Sequence, residues 1–106
     1  MLWTYMKAEK VMNVWVEQAT DGDGIIVREY CVAYPYGWFF LYNSKKWFAS
    51  RKSLDGYLGN GYVLFDKVNG EIVVFSSGMP VEECAKEYEQ TIPPARLEMK
   101  VEPIPK

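Results

Sequence analysis

The chain has 106 residues, 49% of them hydrophobic, 16% aromatic and 25% charged, a composition that excludes disorder and leaves room for one modest core. A formal net charge of -2 and the lack of any histidine exclude a neutral-pH imidazole switch, a Cys-His nucleophile and a bulk pull toward nucleic acid. Cys31 and Cys84 have no CxxC spacing, so no zinc set, metal site or disulfide framework is expected, and a reducing cytoplasm is the predicted compartment.

The start, "MLWTYMKAEKVMNVWVEQ", breaks its apolar residues with Lys7, Glu9 and Lys10, which argues against a signal peptide or a membrane span. From Tyr5 to Ala19 the apolar side chains Tyr5, Ala8, Val11, Met12, Trp15, Val16 and Ala19 recur three or four apart. This spacing predicts an amphipathic helix, capped by Thr4 and stopped by "TDGDG". Residues 25–34, "IIVREYCVAY", read as a strand. "WFFLY" after the "YPYG" turn is apolar on both faces, which predicts a central strand paired with the first as an antiparallel hairpin. Between Asn43 and Asn60 a short edge strand is expected around Trp47, then a loop or helical turn near 54–58.

The clearest local signal is "GNGYVLFDKVNGEIVVF", where Tyr62–Asp66 and Glu71–Phe75 flank "KVNG" and Gly70 suits the positive-φ position of a hairpin loop. "GMPVEECAKEYEQ" follows, with Pro80 opening a second helix to about Gln90, Glu82 and Glu83 in its first turn, and Val81, Cys84, Ala85 and Tyr88 as its apolar stripe. In "IPPARLEMKVEPIPK" the prolines bracket an alternating run that reads as an edge strand. The predicted fold is α+β: an N-terminal helix, an antiparallel sheet of four to five strands, and a C-terminal helix packed on the sheet. Residues 1–92 form the expected domain and 93–106 a proline-rich tail.

No catalytic constellation emerges, so no enzyme activity and no cofactor are expected. Cys31 falls mid-strand and Cys84 on a helix stripe, where cysteine acts as a small hydrophobe. Asp21 and Asp23 belong to a glycine turn, and "DGDG" lacks the later ligands of a calcium loop. "GNG" at 59–61 precedes a strand, not a helix, so it is no phosphate cradle. "KKWFASRK" mixes Lys45, Lys46, Arg51 and Lys52 with Trp47 and Phe48, a set that fits an RNA groove but fits better an edge strand guarded by lysines. Tyr34, Tyr36, Trp47, Tyr57 and Tyr62 add to more aromatic surface than one small core hides, a feature of protein interfaces.

The succession "GWFFLYNS", "LDGYLGNGYVLFDKVNGEIVVF", "GMPVEECAKEYE" resembles the immunity protein 35 family. The residues carrying the resemblance are Gly37, Trp38 and Phe40; Leu58, Gly59 and Asn60; Asp66, Lys67, Gly70 and Glu71; and Pro80, Glu83 and Tyr88. The tail after Gln90 lies outside the pattern. The resemblance implies a small bacterial, cytoplasmic antidote that binds and neutralises a cognate polymorphic toxin by occluding or distorting it, without catalysis, as a monomer or homodimer. The 45–62 segment is the expected contact, through Trp47, Arg51, Asp55, Tyr57 and Tyr62. A chaperone-like or adaptor module and, behind it, a small RNA-binding domain are the alternatives; no nucleic acid and no membrane partner is expected.

Overall fold

The computed structural model describes residues 2–57 and 61–106. Helix α1 (Tyr5–Ala19) forms where the spacing places it: Thr4 Oγ1 accepts from the Lys7 amide, and Tyr5, Ala8, Met12 and Val16 form its buried stripe. Val11 and Ala19, assigned to that stripe from the sequence, face outward. The chain leaves the helix through Thr20, whose hydroxyl donates to the Val16 carbonyl and accepts from the Gly24 amide.

Among the described residues six strands follow: β1 (Gly24–Ile26), β2 (Val32–Tyr34), β3 (Gly37–Phe40), β4 (Tyr42–Ser44), β5 (Val63–Asp66) and β6 (Ile72–Val74). Four make an antiparallel sheet in the order β2-β3-β5-β6, and β1 pairs antiparallel with β4 in a second, two-stranded sheet. The stretch 25–34, expected as one strand, is two. Ile26 opposes Tyr42 and Val32 opposes Phe39, so residues 27–31 face only 40 and 41. The excess is taken up by a 3-10 turn at Arg28–Tyr30. In an unbroken pleat one of the adjacent charges Arg28 and Glu29 would point into the core. The excursion ejects both while the Val27 amide still bonds to Leu41.

β3 is buried at every residue, as its two-sided apolar run requires. Trp38, Phe40, Val63 and Phe65 meet α1 in one cluster, and Phe39 and Leu64 point the other way toward helix α3 (Val81–Glu89). The molecule is thus three layers, helix, sheet, helix, set by the period-two alternation of its central strands. At Gly37 a Cβ would collide with the Phe65 carbonyl oxygen, so the β3–β5 approach requires glycine. The β5–β6 loop closes on Gly70 at φ +72, as the hairpin motif predicts.

Two expected elements take another form. Trp47 is not in an edge strand but in the short helix α2 (Lys45–Ser50), because Ser44 caps it: its Oγ accepts from the Trp47 amide at 3.0 Å. The tail adds no strand. Pro93 and Pro94 lead into a 3-10 turn (Pro94–Glu98), and the remainder is a strap whose hydrogen bonds go to side chains of the sheet. Arg96 pairs with Asp66, Lys67 Nζ donates to the Lys100 carbonyl at 2.6 Å, Trp38 Nε1 donates to the Glu102 carbonyl at 3.0 Å, and Ile104 packs on the α1-side cluster.

Candidate functional site

The ejected turn at 28–30 lies against α2, and together they build a knob on the β1–β4 end of the molecule. Tyr30 packs its ring on Trp47 at 5.9 Å between centroids. The Arg51 guanidinium lies over both Trp47 (4.7 Å) and Phe48 (4.8 Å) and reaches Glu29 of the turn at 2.9 Å. Arg51 ends α2 in the left-handed region, at φ 60, where glycine or asparagine is the usual residue. Ring stacking and the ion pair hold the arginine in that conformation.

The other face of the knob is fixed from beneath. Asp55, in the 3-10 turn Ser53–Asp55, accepts from the Ser50 hydroxyl at 2.6 Å and pairs with Lys46 at 3.3 Å; these contacts, Ser50 first, hold its carboxyl below the ordinary range. Tyr57 donates its hydroxyl to Asp23, and its amide donates to Asn43 Oδ1 at 2.8 Å. Burial and that carboxylate raise the Tyr57 phenol to about 12. Trp47, Arg51, Asp55 and Tyr57 are therefore gathered at one end of the fold. Tyr62 is not joined to them: its ring meets Phe39 in the α3-side cluster.

Three knob residues were not singled out as contacts from the sequence. Tyr30 and Phe48 are 42% and 40% exposed, and Leu54 is 99% exposed. "SLDG" read only as a turn, yet a leucine at its crest is a signal, since turns favour polar types there. Conversely Tyr36, counted with the surface aromatics, is fully buried, its hydroxyl donating to Glu89 at 2.9 Å.

Beside the knob a cleft of about 980 Å³ runs between α1, β1 and the strap's end, with Glu9, Arg28, Cys31 and Lys45 in its wall. Two of its charged groups, Glu9 and Arg28, are committed to each other. Arg28 Nε donates to Glu9 at 2.8 Å and its Nη2 to the second oxygen, while the Tyr5 hydroxyl also donates to Glu9. The Arg28 bonds chiefly, with help from Tyr5 and against burial, hold the Glu9 carboxyl low. Burial pushes the Cys31 thiol up to about 11. Among the described residues no three His, Cys, Asp or Glu side chains converge as a metal would need.

The family model described as Immunity protein 35 matches residues 7–91. The chain belongs to the immunity protein 35 family. No curated protein and no solved structure matches it significantly. Most of the residues that carry the immunity protein 35 resemblance serve the fold. Gly37 permits the β3–β5 approach, and Trp38 and Phe40 form the α1-side core. Gly70 turns the hairpin, and Pro80 precedes α3. Asp66, fully buried, accepts from the Tyr88 hydroxyl, from Arg96 and, at 2.8 Å, from the Val68 amide. Leu58, Gly59 and Asn60 lie outside the described residues. The knob lies within the residues that the family model matches.

Proposed function

We propose that this chain is the antidote of a polymorphic toxin: it binds the cognate toxin domain in the bacterial cytoplasm and blocks or distorts it by surface fit, without catalysis. The single observation that carries the reading, beside family membership, is the knob. There Trp47 and Arg51 are pre-organised by Tyr30 and Glu29, while Phe48 and Leu54 remain open to solvent. Rigid aromatic and arginine anchors are the residues that dominate protein interfaces, because little conformational entropy is lost when they bind. Trp47, Arg51, Asp55 and Tyr57 form the contact set with these exposed neighbours, and Tyr62 supports the scaffold behind them.

The thiol chemistry supports a non-catalytic role. A thiolate nucleophile needs a lowered pKa, and both thiols are shifted the other way by burial. Among the described residues no helix is long and apolar enough to cross a membrane, in keeping with a partner met in solution. Co-expression with the toxin domain encoded beside this gene tests the reading. The native chain restores growth, and Phe48→Ala with Leu54→Ala, at two exposed positions, abolishes rescue without lowering the melting temperature by more than a few degrees. Full rescue by that folded double variant would remove the knob from the interface.

A further inference from the structure

We propose that the knob docks on an acidic, carboxylate-bearing surface of its protein partner and not on a phosphate-gripping cleft; this rests on the antidote reading above and specifies the chemistry of the toxin face. Residues 45–55 contain four of the chain's 12 basic residues, Lys45, Lys46, Arg51 and Lys52, and one of its 14 acidic ones, Asp55. A chain that is acidic as a whole concentrates positive charge on this segment. Lys46 and Arg51 are answered locally by Asp55 and Glu29. Lys45 and Lys52 are exposed and enter no ion pair among the described residues. Around them stand Leu54, fully open to solvent, and Phe48, partly exposed beside Arg51. An apolar centre with uncompensated lysines at its margin is the pattern of a protein interface whose partner carries the opposite potential.

The same residues suit nucleic acid poorly. Binding a single strand requires open ring faces for bases to stack on. Here the Trp47 ring is already covered by Arg51 and flanked by Tyr30. Arg51 is itself neutralised by Glu29. Because a surface that grips phosphates is itself cationic, it would repel the knob.

The test uses the full-length chain, the toxin domain encoded beside its gene, and a fluorescein-labelled 20-nucleotide RNA. The toxin domain should associate with the native chain at a rate that falls as salt is raised. The charge-reversed pair Lys45→Glu, Lys52→Glu should slow association about 10-fold at low salt and flatten its salt dependence, with dissociation changed less than about 2-fold. Leu54→Ala should instead speed dissociation, and circular dichroism should show all variants folded. The RNA should not compete. Association by the reversed pair that is unchanged or faster would overturn this inference alone, as would displacement of the toxin domain by the RNA. Absence of any complex with the native chain would overturn the antidote reading, and this inference with it.

Discussion

Replacing Arg51 by glycine separates what the knob does for the fold from what it does for a partner. Arg51 sits at φ 60, and a non-glycine residue in the left-handed region costs about 1–2 kcal/mol. Glycine removes that cost but loses more backbone entropy on folding, roughly 0.5–1 kcal/mol. The lost ion pair joins side chains 43% and 55% exposed, so solvent screening limits it to about 0–1 kcal/mol. Stacking on the partly open Trp47 and Phe48 rings contributes about 0.5–1 kcal/mol. The opposing terms nearly cancel, so Arg51→Gly should change stability by no more than about 1 kcal/mol, roughly 4–8 °C in melting temperature for a domain of this size. Affinity for the toxin domain should nevertheless fall about 30-fold, the equivalent of a 2 kcal/mol hot spot. Differential scanning calorimetry and titration calorimetry on the same preparation measure the two quantities. A loss of more than about 2 kcal/mol of stability would show that Arg51 holds the fold. Unchanged stability with unchanged affinity would refute the assignment of the knob as the contact surface.

Three further outcomes follow from the geometry. Asp66→Ala leaves the Tyr88 hydroxyl and the largely buried Arg96 guanidinium without their acceptor, and should cost about 3–5 kcal/mol in urea denaturation; a loss below about 1 kcal/mol would contradict the network. With the Cys31 thiol raised to about 11, only about one molecule in a thousand is thiolate at pH 8, against roughly a quarter for a free cysteine. Iodoacetamide should therefore label the native chain at least about 100-fold more slowly than the unfolded chain, and rapid native alkylation of Cys31 would contradict its burial. Glu9 has its folded pKa depressed by Arg28, so its contribution is present above the unfolded carboxylate value of about 4.3 and is lost as pH falls through the lower folded value. Glu9→Gln should lower stability at pH 6 and flatten the acid limb of the stability curve, and an unaltered acid limb would refute that coupling.

What the residues revealed in advance was governed by periodicity. α1 and α3 are legible because their buried residues fall three and four apart, β3 because an apolar run with no polar position needs cover on both faces, and the β5–β6 hairpin because Gly70 marks its turn. The break at 28–30 was hidden, since "IIVREYCVAY" has strand-forming side chains throughout; only the adjacent charges Arg28 and Glu29 signal that an unbroken pleat would bury one of them. α2 carried a readable cap in Ser44, three residues before Trp47, but its aromatic residues outweighed it in a strand reading. The tail's alternation suggested a ladder that its flanking prolines turn into a strap. Of the candidate site, Trp47, Arg51, Asp55 and Tyr57 stand out in the sequence as a segment rich in aromatics and charge. The left-handed backbone at Arg51 and the exposure of Leu54 depend on how the turn and α2 meet, which no local pattern encodes. Tyr62 looked like surface because its burial depends on α3, which is distant in sequence.

The most direct test is to titrate the toxin domain's activity with the purified chain and read the end point. Surface fit predicts a linear loss that is complete when chain and toxin are equimolar, and full recovery of activity when the complex is denatured and the toxin domain is refolded alone. Inactivation of many toxin molecules by each chain, or permanent chemical change in the toxin, would show that the chain makes or breaks bonds and would contradict the account.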